Sequence, residues 1–191
     1  MTLQKVNTRN TVLVLMIVLA AAFRLLSYKY PYVLSNFTPV GAIALFGGAY
    51  FTDKWKAYLV PLLALFLSDM LLNYFYTSRL SFLSVDSLWV YLCFALFVSI
   101  GSMIRKATLI NVLLASILSV GMHWLIMDLP WLLGNLYPHT LAGYEQALTA
   151  AIPFEKNMML GDVVFGFILF GGFELAKSKY VNLRSSAELA I

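Results

Sequence analysis

The chain has 191 residues, of which 61% are hydrophobic and 12% charged, with a formal net charge of +4. Soluble domains carry about 45–50% apolar and about 25% charged residues, so this chain cannot cover a globular surface with polar groups. That excludes a soluble cytosolic enzyme, a nucleic-acid binder and a disordered chain, and it leaves an integral membrane protein, in line with a mean hydropathy of +0.83.

Six apolar stretches follow one another, which predicts an all-α bundle of six transmembrane helices in one domain, 1–191. The first spans 10–28 and is interrupted by Arg24. Lys5, Arg9, the apolar run and Ala20-Ala21-Ala22 resemble a signal peptide with a small-residue cleavage site. Apolar character resumes directly after Arg24, which favours a continuing helix. The second span covers 38–52 and opens at Thr38-Pro39, where proline suits a first helical turn. The third, 57–76, contains Asp69; the fourth covers 87–104 and the fifth 107–127. The sixth covers 158–176 and carries Asp162 near its start, where it suits a helix cap beside Gly161. The long connection 128–157 is rich in aromatic and aliphatic residues and is expected to form a cap on the outer face, with a short helix around 143–151.

The basic residues set the orientation. Lys5, Arg9, Lys54, Lys56, Arg105, Lys106, Lys177, Lys179 and Arg184 fall on one side of such a bundle. Lys29, Arg79 and Lys156 fall on the other. The positive-inside rule then puts both termini in the cytoplasm, and the even number of spans agrees.

Ionisable residues inside a membrane are expensive and face a bundle interior or cavity. Here they crowd into the outer half. By the helical rise, Arg24 lies about 6 Å and Asp69 about 10 Å below the outer ends of their spans. Asn73 is one turn further out on the face of Asp69. His123 is about 6 Å below the outer end of the fifth span, and Asp86 and Asp128 mark outer mouths. This asymmetry predicts a polar pocket open to the outside and floored by apolar packing. A continuous channel needs polar lining throughout, and a proton relay needs carboxylates at successive depths. Arg24 and Asp69 are natural ion-pair partners, whether for architecture or for binding. The expected lining is Arg24, Asn36, Asp69, Asn73, His123 and Asp162. With Arg24 set against Asp69 and Asp162, and His123 neutral, the formal charge is about −1, which favours a neutral or cationic solute.

No nucleophile elbow, His-Glu-x-x-His or phosphate loop is present, so no catalytic set, cofactor or metal site is expected. The single cysteine, Cys93, suits a small buried hydrophobe.

The stretch Asn36-Phe37-Thr38-Pro39-Val40-Gly41-Ala42-Ile43-Ala44-Leu45-Phe46-Gly47-Gly48-Ala49-Tyr50-Phe51, with Leu67-Ser68-Asp69, Pro153-Phe154, Gly161-Asp162 and Arg24, resembles a bacterial family of small six-helix membrane proteins. That family is similar to the substrate-binding (S) components of energy-coupling-factor (ECF) vitamin transporters. The resemblance implies a multi-pass protein of the bacterial inner membrane, with the lipid bilayer as its surroundings. It would capture a vitamin-like small molecule from outside and deliver it by reorienting. It also implies an ECF-type transmembrane subunit and ATPases as partners, although S components that dock on that subunit often carry alanines four apart on span one. Here Ala20, Ala21 and Ala22 are contiguous. Two other readings remain open: an intramembrane enzyme acting on a lipid or isoprenoid, and a structural subunit of a membrane complex.

Overall fold

A computed structural model describes residues 7–31, 34–79, 85–132 and 134–185. The side chain of Asp86 lies outside the described set. Among the described residues every regular element is helical. In chain order they are α1 (Thr8–Ala22), α2 (Arg24–Lys29), α3 (Val40–Tyr50), α4 (Lys54–Thr77), α5 (Val85–Ser102), α6 (Leu109–Met127), α7 (Leu141–Gly166) and α8 (Gly172–Lys179). A π-helical segment, Phe167–Gly171, joins α7 to α8, and a short 3-10 turn, Val181–Leu183, follows. Only Phe23, itself in the helical region, separates α1 from α2, and the α7–α8 pair is continuous, so these elements form six rods.

Local signals explain the rod ends. The side chains of Asn7, Thr108 and Thr140 cap α1, α6 and α7 by accepting from backbone N–H groups three residues on, which satisfies donors the helix cannot use. Ser78 closes α4 in the left-handed region, with φ 54°. Pro39 precedes α3 and starts it.

Four helices are long and apolar enough to cross a membrane: Thr8–Leu26, Lys54–Thr77, Leu109–Met127 and Leu141–Lys179. The expectation of six spanning helices is therefore narrower in the structure. The helix expected over 38–52 is only 11 residues, Val40–Tyr50, or about 16 Å, too short for a hydrocarbon core of about 30 Å. It is instead the central strut. Ten of its eleven residues are buried, and it packs on α1, α4, α5, α6 and α7. The expected outer cap is also different. Rather than a short helix around 143–151 followed by a loop, one rod starts at Leu141 and runs unbroken through Pro153. That proline removes one backbone bond, and the rod tolerates it.

At one end the bundle is tied by a polar clamp. Arg9 donates to the carbonyls of Tyr50, at 2.5 Å, and Leu183, at 3.1 Å. The Tyr50 hydroxyl donates to Glu174 at 2.5 Å, and Lys177 pairs with Glu174 at 2.8 Å. The start of α1, the end of α3 and the last turns of α8 thus share one end with Lys54, Lys56, Arg105 and Lys106. The rings of Phe46, Tyr50, Phe170 and Phe173 pack edge-to-face beneath it. Lys29, Arg79 and Lys156 lie towards the opposite end.

Candidate functional site

Arg24 opens α2 one residue beyond α1, and its guanidinium reaches α4. Nη1 of Arg24 donates to Oδ1 of Asp69 and to Oγ of Ser68, both at 2.6 Å. The Tyr91 hydroxyl of α5 donates to the other carboxylate oxygen of Asp69 at 2.9 Å. The Ser68 hydroxyl in turn donates to the Leu65 carbonyl at 2.8 Å. Three rods are therefore joined through one carboxylate, by bonds that a charge makes shorter and stronger. The group is not sealed in: the side chains of Arg24 and Asp69 keep 14% and 27% of their surface. They face an open cleft of about 370 Å³ whose walls also include Asn73, Tyr76, Ser87 and Tyr91.

A second polar cluster sits on the other side of α5. His123 of α6 meets Glu155 of α7, Nδ1 to Oε1 at 2.8 Å. The rings of Phe94 and Phe97 flank the imidazole. Glu155 is buried, and its Oε2 has no hydrogen-bond partner among the described residues. Glu155 was not among the expected site residues. Its signal was its spacing: it precedes Asp162 by seven residues, which puts both carboxylates on one face of a single helix. Trp124 and Tyr144 lace α6 to α7 through the carbonyls of Leu148 and Leu125, at 2.9 and 2.7 Å.

Asp128, just beyond the end of α6, feels the same cluster. Burial first and Glu155 second push its carboxyl up to about 6, against a pull from His123. A raised carboxyl favours the protonated form in the folded state. Below about pH 4 both states are protonated and nothing is lost. Stability then falls as pH rises from about 4 to about 6 and stays lower above that. Asp128→Asn should therefore raise the melting temperature in detergent at neutral pH, with the gain vanishing towards pH 4.

The six expected residues do not form one pocket. Arg24, Asp69 and Asn73 share the cleft. His123 is spent on Glu155. Asn36 is an exposed turn residue before α3 with φ 58°, a backbone conformation that asparagine tolerates better than most residues. Asp162 lies mid-rod rather than at the start of its own helix. It is fully buried and faces the first turn of α3, where a Cβ on Gly41 would overlap its carboxylate. The strut α3 thus stands between Asp162 and the Arg24 cluster. Among the described residues no group of three or more His, Cys, Asp or Glu is placed to hold a metal ion. Cys93 is free and buried in α5.

Compared with protein families, residues 4–186 match a family of unknown function, DUF6580. The chain belongs to DUF6580. The match covers nearly the whole chain, both polar clusters and the strut included, so this architecture is that of a DUF6580 protein. No curated protein and no solved structure matches the chain.

Proposed function

We propose that this chain is a membrane-embedded binding protein for uptake of a small solute, similar in action to the S components it resembles. The solute, a vitamin-like or related molecule, enters from the outer face into the cleft between α2, α4 and α5. Occlusion and rigid-body movement carry it, with no chemistry on the solute.

The observation that carries this reading is the ion pair set in the wall of a cleft. A pair serving only to hold helices is best enclosed by packing. This one presents charge and hydrogen-bonding groups to about 370 Å³ of space, within the size range of small-molecule pockets. Arg24 and Asp69 cancel, so the cleft is close to neutral. That favours a neutral, polar solute over the cationic one allowed by the larger set of residues.

Sidedness supports the same reading. The clamp end gathers most of the basic residues, which the positive-inside rule assigns to the cytoplasm. The cleft then lies in the outer half, in a bacterial inner membrane. An ECF-type transmembrane subunit with its ATPases would supply energy, and co-purification from native membranes tests that partnership.

The decisive experiment is native mass spectrometry of protein gently extracted from its own membrane. The wild type should retain a small-molecule adduct. Asn73→Ala removes one exposed cleft side chain and leaves the ion pair intact. It should lose the adduct with an unchanged melting temperature, since exposed substitutions shift stability by only about 0.5 kcal/mol. An adduct that survives Asn73→Ala and Tyr76→Ala alike, or a wild type that carries none, would overturn the proposal.

A further inference from the structure

The clamp end of the bundle carries an opening of its own, far from the outer cleft. It is an open pocket of about 310 Å³ lined by Glu174, Lys177, Ser178 and Arg184. Every one of these side chains is polar, and two are cations. The clamp uses Glu174 and Lys177 to tie helices together, but the pocket and Arg184 have no part in that tie.

The two cations are held differently. Lys177 is buried, with its ammonium 2.8 Å from Glu174 and 5.3 Å from the centre of the Tyr50 ring. Arg184 is exposed, and its Nε donates to the Lys177 carbonyl at 3.3 Å. That bond ties Arg184 to the end of α8, while its two terminal nitrogens make no hydrogen bond among the described residues. A guanidinium with its fork open suits two oxygens of one phosphate group. The features that would repel an anion are already engaged. Glu174 accepts from Lys177 and from the Tyr50 hydroxyl. Of the last carbonyls of α8, that of Ala176 accepts from the Tyr180 N–H and that of Lys177 from Arg184. Among the described residues of this end, Arg9, Lys54, Lys56, Arg105, Lys106, Lys177, Lys179 and Arg184 face only Asp53 and Glu174 as acids, a field that draws anions in.

Position narrows the anion. Lys179 ends the rod Leu141–Lys179, which is long and apolar enough to cross a membrane, so the pocket lies where such a rod meets the membrane surface. Leu175, Tyr180 and Val181, neighbours of the pocket residues in the chain, are exposed. Apolar surface there suits an acyl chain, and a tyrosine suits the headgroup level. We propose that this pocket binds the phosphate of an anionic phospholipid. Arg184 takes two phosphate oxygens, Lys177 supplies the second positive charge, and the acyl chains run along the exposed side of α8. Basic pockets at membrane surfaces hold such headgroups. A zwitterionic lipid carries the same phosphate but adds a cation that this end repels. The site is separate from the outer cleft and does not depend on the solute proposed there.

Lipid titration of the full chain in detergent, read by native mass spectrometry, tests it. Phosphatidylglycerol and phosphatidylcholine with the same acyl chains are the probes. Phosphatidylglycerol should bind at least about tenfold more tightly, since each basic side chain at a membrane surface contributes about fivefold. Arg184→Gln should weaken phosphatidylglycerol about fivefold and leave phosphatidylcholine and the melting temperature unchanged, because Arg184 is exposed. Lys106→Gln removes the same charge from the same end, at an exposed residue outside the pocket, and should change neither lipid by more than about twofold. Millimolar inorganic phosphate should leave the bound lipid in place, because it lacks the acyl chains. Equal binding of the two lipids, or equal losses in Arg184→Gln and Lys106→Gln, would show general contact or general charge attraction and overturn the proposal. Displacement of phosphatidylglycerol by inorganic phosphate would make this a site for a soluble anion and overturn it as well.

Discussion

Leucine in place of Gly48 or Gly101 should leave no folded, monodisperse protein in detergent. The two glycines serve one contact, the crossing of α3 and α5. A Cβ on Gly48 would overlap the Val98 carbonyl oxygen, and a Cβ on Gly101 would overlap that of Leu45. Each glycine thus receives the backbone of the other helix. Lipid gives helices no hydrophobic drive to associate, so close packing at small residues must do it. A backbone carbonyl cannot rotate away as a side chain can, so the helices must part. The expected cost is about 3 kcal/mol or more, at the upper end of overpacking effects. Alanine should be milder at both sites. Gly121 of α6 is the control: a Cβ there meets nothing within 4 Å. Gly121→Ala should be neutral or stabilising by up to about 1 kcal/mol through helix propensity. Size-exclusion profiles and melting curves in one detergent read all of these. The effect reaches the proposed cleft, because α5 supplies Tyr91.

The rods were legible because apolar runs of membrane length are a strong signal. The third and fifth expected spans, 57–76 and 107–127, fall within about three residues of α4 and α6. The Arg24–Asp69 pair was also legible, since a buried arginine and a buried aspartate in neighbouring rods have few other ways to be satisfied. Hydropathy failed where a helix carries polar residues that point inward. Glu155 and Asn157, with exposed Lys156 between them, break the apolar run, so hydropathy alone marks 128–157 as a connection. In the structure Glu155 turns to His123, and Asn157 donates to the Ser35 carbonyl at 2.9 Å. Their polarity is spent within the protein, and the helix continues past them. Starting the rod late made Asp162 look like a helix cap and hid its seven-residue spacing from Glu155. The short strut was missed for the opposite reason. Val40–Tyr50 is apolar on every side, which a membrane span and a fully enclosed helix share. Only its length of 11 residues separates them.

Removing one partner of the Arg24–Asp69 pair should destabilise the protein more than removing both. Arg24→Met leaves the Asp69 carboxylate with Tyr91 but without its cation. Asp69→Leu takes the carboxylate away from the guanidinium and leaves the Ser68 hydroxyl beside it. Breaking a fully buried pair costs about 3–5 kcal/mol because the survivor is an uncompensated charge. These side chains keep part of their surface, so about 2–3 kcal/mol is expected for each single variant. The double variant Arg24→Met/Asp69→Leu leaves no stranded charge and should recover to within about 1 kcal/mol of the wild type. Thermal melting of the four proteins in one detergent gives the cycle. The same four, read for the retained adduct, separate architecture from binding. A pair that serves only the fold predicts a double variant that is stable and still carries the adduct. A pair that holds a solute predicts a double variant equally stable and empty. Stability recovered without the adduct is the expected result, because the bundle needs only charge balance at this point, whereas a polar guest needs the charges themselves.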